Sequence, residues 1–183
     1  MRQTPRAQML LGDDGKDPRT PFDPVGDERQ LLLDFVRWQR ETLEAKCAGL
    51  SPEQLATRAV EPSTMSLLGL VRHLARVEQG WWRQCVAGED VATLYRGPGN
   101  ADGEWDDAVG TRECVDEALA AWRAECRAAD AIVAVRALDD TFEDNGGGTW
   151  SIRALLLHMI EEYSRHLGHA DLLRERIDGR LGE

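Results

Sequence analysis

The residues of this chain whose types and spacing could do chemistry are its four histidines and one glutamate. His158, His166 and His169 fall in a single stretch, and Glu162 stands four residues from both His158 and His166. On an α-helix, side chains four apart project from one face, about 6 Å apart along the axis, so a metal ion could bridge such a pair. The fourth histidine, His73, is remote in sequence and needs a second element to bring it in. Two imidazoles and a carboxylate are the donors of one class of catalytic zinc site, which keeps a fourth position open. They also describe the facial triad of non-haem Fe(II) oxygenases. His73 with Glu162 and His166 is one candidate set; His158 with Glu162 is an alternative pair. His158, Glu162 and His166 cannot all reach one ion, because eight residues of helix rise about 12 Å and metal–ligand bonds are about 2 Å. His169, turned about 60° from His166 around the axis, is a candidate to support a ligand or to touch substrate. The plainer reading makes each histidine a hydrogen-bonded boundary residue and Glu162 half of a surface ion pair.

The element that must carry most of these groups is Trp150 to Gly179, nearly thirty residues without proline. Leu155, Leu156, Met159, Ile160, Tyr163, Leu167, Ala170, Leu173 and Ile177 recur at helical spacing, which predicts one long amphipathic helix. Ser151 can cap its start, and Gly179 sits where a glycine ends a helix. His73 belongs to a second principal helix, from Met65 to about Asp90, with Leu67, Leu70, Val71, Leu74, Val77 and Trp81 on its apolar face and Thr64 or Ser66 as cap. A helix from Asp27, with Leu32, Phe35, Trp38, Leu43 and Cys47 near one stripe, stops at Gly49. Ser51 opens a short helical turn, and residues 111–138 form another long helix bearing Val115, Leu119, Trp122, Cys126 and Ala129. The stretches LYRGPGNADGEWDD and DDTFEDNGGGTW read as loops. Nothing alternates for long as a strand would. Four long helices with short connections predict an all-α, four-helix bundle over residues 27–183, preceded by a polar, proline-rich and poorly ordered arm over residues 1–26.

Composition narrows the partners. The 183 residues suffice for one domain with a sizeable core, and 42% apolar content is ordinary for a soluble globule. A net charge of -11 and scattered arginines, with Lys16 and Lys46 the only lysines, argue against nucleic acid. No run of eighteen apolar residues suggests a membrane span, and the start has no apolar stretch of the kind a signal peptide needs, so the cytoplasm is the expected compartment. Cys47, Cys85, Cys114 and Cys126 form no CxxC or CxxH pair, which excludes a zinc ribbon and leaves them as reduced helix residues. Trp81, Trp82, Trp105, Trp122 and Trp150 either fill the bundle core or line a substrate cavity. Arg72, Arg76, Arg165 and Arg174 are solvated or paired with acids, unless they meet an anionic substrate.

The pairing of MSLLGLVRHLARVEQGWW with WSIRALLLHMIEEYSRHLGHADLLRERIDG resembles the DinB superfamily of four-helix metalloproteins, and within it the branch called DUF664 or mini-circle protein-like, associated with mycothiol S-transferases. The resemblance covers roughly Asp27 to the end. It implies one metal ligand from the second principal helix and two, four apart, from the last, which carried over are His73, Glu162 and His166. His166-Leu167-Gly168-His169 stands where many relatives read His-Arg-Gly-Gln, and Glu162 departs from a histidine common there. A glutamate followed four residues later by histidine also resembles the motif of mycothiol-dependent maleylpyruvate isomerases, a comparison that keeps His158 in play.

The resemblance implies a divalent metal ion, zinc first and nickel or iron next, with mycothiol or a similar small thiol as cosubstrate. A thiol coordinated to such an ion is deprotonated, and the thiolate is the nucleophilic form of sulfur. The expected function is a metal-dependent S-transferase acting on an electrophilic small molecule, and the expected assembly is a homodimer. The alternatives are a non-catalytic metal- or ligand-binding bundle and a helical interaction module with incidental histidines.

Overall fold

The computed structural model describes residues 16–180, built almost wholly of helices. Helix α1 spans Glu28–Cys47, the one-turn α2 Pro52–Leu55, α3 Leu67–Glu78, the one-turn α4 Gly103–Asp106, α5 Arg112–Ala134 and α6 Ile152–Asp178. A π-helical segment, Gln79–Val86, prolongs α3 without a break. Each long helix starts where a side-chain oxygen satisfies a free backbone N–H: Asp27 accepts from Gln30, Ser66 from Gly69, Thr111 from Cys114 and Ser151 from Ala154. Gly179, in the left-handed region at φ 78°, ends α6.

Helix α1 lies along α6, α5 lies along α3, and α3 meets α6 across the middle, which makes the expected four-helix bundle. Leu67, Leu70 and Leu74 of α3 and Leu155, Met159 and Tyr163 of α6 are fully buried at that meeting. Among the described residues no helix is long and apolar enough to cross a membrane.

Two expectations are corrected. The stretch before α6 is not all loop: Thr141–Glu143 (β1) and Thr149–Ser151 (β2) form an antiparallel hairpin with Phe142 opposite Trp150. Strands of three residues are too short to leave an alternating pattern. On α1 the buried positions include Val36, Arg40, Leu43 and Cys47, while Phe35 is exposed. Phe35 and Trp38 instead receive the segment ahead of the helix, where Phe22 packs on both rings and the Arg19 guanidinium lies 4.1 Å over Trp38. Of the expected arm, residues 1–15 lie outside the described residues, as do residues 181–183 of the bundle.

A buried polar cluster joins all four long helices. Glu78 of α3, wholly inaccessible, takes two hydrogen bonds from the Arg40 guanidinium of α1, at 2.7 and 2.8 Å. The Tyr163 hydroxyl of α6 donates to Glu78 Oε1 at 2.8 Å and accepts from Trp122 Nε1 of α5 at 2.8 Å. Arg40 also reaches Asp130 of α5 at 2.7 Å. Burial pushes the Tyr163 hydroxyl well above its ordinary pKa, so it remains a donor.

Removing one partner from such a buried pair strands the other charge, which costs about 3–5 kcal/mol. Arg40→Met is therefore expected to destabilise the protein by about that amount in urea denaturation. Adding Glu78→Gln should recover part of the loss, because the stranded group then carries no charge.

Candidate metal centre

Tyr163 and Glu162 are neighbours on α6 and point about 100° apart, the one into the core and the other towards α3. There Glu162 Oε1 lies 3.2 Å from His73 Nε2 and 3.3 Å from His166 Nε2. The two imidazole rings are 4.6 Å apart between centroids. One ligand atom from each of the three residues lies within 4.8 Å of the others. All three side chains are largely shielded, at 13%, 17% and 12% exposure for His73, Glu162 and His166. Hydrogen bonds from His166 and His73 hold the Glu162 carboxyl well below the usual carboxylate range. Two imidazole nitrogens converging on one carboxylate oxygen form a donor set suited to a divalent ion such as zinc.

The short helix α4 closes the other side of His73. Its Trp105 indole stacks on the imidazole, with centroids 5.0 Å apart and planes at 27°. Its Glu104, completely buried, places Oε1 3.5 Å from His73 Nδ1. Burial opposes ionisation of Glu104, but hydrogen bonds from Arg96 and the charge of Arg76 overcome it and hold the carboxyl below its usual range. Arg76 Nε donates to Glu104 at 3.0 Å and Arg96 donates two bonds at 3.2 Å. Helix α4 can come this close because two positions lack a Cβ: at Gly69 it would meet the Trp105 ring at 2.7 Å, and at Gly103 it would meet the Tyr95 carbonyl at 2.3 Å.

His73 and Glu162 open onto a cavity of about 840 Å³, lined also by Arg76, Trp81, Gln84, Cys85, Arg96 and Asp144. Trp81 leads an aromatic wall, with Trp150 at 4.9 Å and His158 at 5.0 Å between centroids. Asp144, in the turn of the hairpin, accepts from the backbone of Gly146 and Gly148 and from Trp150 Nε1, which fastens the turn to that wall.

Of the histidines singled out from sequence, His73 and His166 come together with Glu162, and His158 does not. Its Nδ1 turns to Glu161 at 3.6 Å, and its ring joins the tryptophans. His169 lies behind His166, 5.4 Å between centroids. Burial, reinforced by the charges of His166 and Arg165, holds His169 below the usual imidazole value. The tryptophans divide between the two roles expected of them: Trp82 and Trp122 are core, whereas Trp81 faces the cavity. Cys85 also lines the cavity, against the expectation that no cysteine has site-like surroundings, and burial raises its thiol pKa so that it stays protonated at neutral pH. Sequence reasoning missed Glu104 altogether. It is one of four acids within GNADGEWDD, and nothing in their spacing marks it out.

The four long helices make an all-α bundle of the DinB-like kind. The family model for mycothiol S-transferases matches residues 31–179, and the chain belongs to that family. A crystal structure of a conserved protein from Enterococcus faecalis has the same fold, with a TM-score of 0.57 at 17% identity over 85% of this chain and 99% of that one. No curated protein matches the sequence.

The contact at Gly103 sets a test of how α4 is held. Gly103→Ala drives a methyl into the Tyr95 carbonyl and should lower stability by about 1–3 kcal/mol, measured by thermal denaturation. Gly97→Ala, where a Cβ meets nothing, should leave the melting temperature close to that of the parent.

Proposed function

We propose that this protein is a metal-dependent S-transferase that joins a small thiol of the mycothiol type to an electrophilic small molecule. The observation that carries the reading is the convergence of His73 Nε2 and His166 Nε2 on one oxygen of Glu162, at the wall of a cavity of about 840 Å³. Membership of the mycothiol S-transferase family supplies the thiol and the class of reaction. Zinc is the preferred ion, because thiol activation needs no redox change. When bound, a divalent ion of this kind supplies a positive charge that favours the thiolate over the thiol.

The chain's own residues define the rest of the chemistry. His73, Glu162 and His166 would supply the donors for the ion, and His73 and Glu162 also line the cavity through which sulfur would reach it. The carboxylate of Glu162 brings one negative charge, so a divalent ion held there keeps net positive charge to set against a thiolate. Trp81 and the hairpin turn at Asp144–Gly146 bound the space in which thiol and electrophile meet. Burial raises the Cys85 thiol pKa, which disfavours it as the nucleophile.

His73→Ala, Glu162→Ala and His166→Ala are each expected to abolish metal loading, measured by elemental analysis of protein prepared without a histidine tag, whereas His158→Ala should retain it. Full loading in the first three variants would rule the site out.

Mycothiol consumption in the presence of a generic electrophile should require the loaded protein and disappear in the same three variants. Loading without thiol consumption, across a panel of electrophiles, would leave a metal-binding bundle and overturn the transferase reading.

A further inference from the structure

The surroundings of the three convergent side chains are unequal. His166 Nδ1 is buried and finds no partner among the described residues. His73 Nδ1 faces two groups: Arg76 Nη2 at 3.3 Å, a hydrogen-bond contact, and Glu104 Oε1 at 3.5 Å, an ion-pair contact. A neutral imidazole that offers Nε2 to a metal carries its proton on Nδ1, and that proton needs an acceptor. The Arg76 guanidinium has only donors and cannot serve. Glu104 can, and two features make it a deliberate acceptor. It is wholly buried, with Arg76 and Arg96 fixing its two oxygens. It also arrives on the same one-turn helix that lays Trp105 across the ring face, so α4 constrains the imidazole both at its edge and on its face.

We propose that Glu104 is a positioning residue for the centre: it accepts the Nδ1 proton of His73 and, together with Trp105, fixes the ring so that Nε2 is turned to Glu162 and His166. This rests on the reading of His73 as a ligand. The arrangement couples cavity and centre, because Arg96 and Arg76 hold the carboxylate and also line the cavity, so a ligand that draws on either guanidinium acts on His73 through one carboxylate.

The test uses cobalt(II) as probe. Glu104→Gln should weaken cobalt(II) affinity about 10–100-fold by chelator competition, the range seen when the partner of a ligating histidine is removed. Arg174→Gln breaks buried hydrogen bonds to the Lys46 and Ala48 carbonyls, away from the centre; it should lower the melting temperature yet leave affinity close to that of the parent. Equal weakening in both variants, or none in Glu104→Gln, overturns the proposal. A measurement on the parent protein covers the case of a variant that fails to fold. In the cobalt-loaded protein, the far-shifted imidazole N–H resonance of His73 should exchange slowly with solvent. Fast exchange of that resonance overturns the role of Glu104 while leaving the metal reading intact. A parent protein that takes up no cobalt(II) overturns both.

Discussion

The structure depends on one buried ion pair and the hydroxyl that completes it. Arg40 and Glu78 are both nearly or wholly withdrawn from water, and an isolated charge there would be prohibitively unfavourable. Every oxygen of Glu78 is met, by guanidinium nitrogens and by the Tyr163 hydroxyl. The requirement that all these partners be present at once fixes the register of four helices in a way apolar contacts alone do not, since leucines tolerate sliding and hydrogen bonds do not. Tyr163 is the residue next to Glu162. The contact that locks α6 against α3 in the core therefore also fixes where Glu162 stands opposite His73. Site geometry is the solvent-facing side of a constraint whose other side is core.

A second layer of fixation comes from α4. Four residues are too few for a helix to be stable by itself, and this one persists because it is wedged. Arg72 donates to its first carbonyl at 3.0 Å, Trp105 lies against Gly69, and Glu104 is gripped by two arginines. The buried Glu104 carboxylate meets Arg76 and Arg96 within hydrogen-bond range, which is the condition for keeping an ionised group in a partly dry site.

Where a residue's role follows from its neighbours in the helix, the sequence was informative. The stripe from Leu155 to Leu173, with Ser151 and Gly179 at its ends, described α6 to within two residues, and the four-residue step from Glu162 to His166 placed both on one face. Resemblance then selected His73 while still keeping His158 in play. Roles set by long-range contacts left no trace. Glu104 looks like any acid in a glycine-rich loop until Arg76 and Arg96 surround it. Arg40, spaced like a surface residue of α1, becomes a core residue only when Glu78 arrives from another helix. Phe35 and Trp38 have the apolar character of core positions but cover the segment that runs in from Arg19 to Phe22.

The π-helical turn after Glu78 sets adjacent tryptophans to different tasks: Trp82 is sealed in the core, and Trp81 stands at the cavity wall. Such a turn holds one residue more than the α-helical path it replaces. Excising a single residue from Gln79–Val86 would rotate everything beyond it by about 100° while leaving His73 untouched upstream. Which side chain meets an incoming molecule can therefore change by one codon's gain or loss, with His73 upstream left in place.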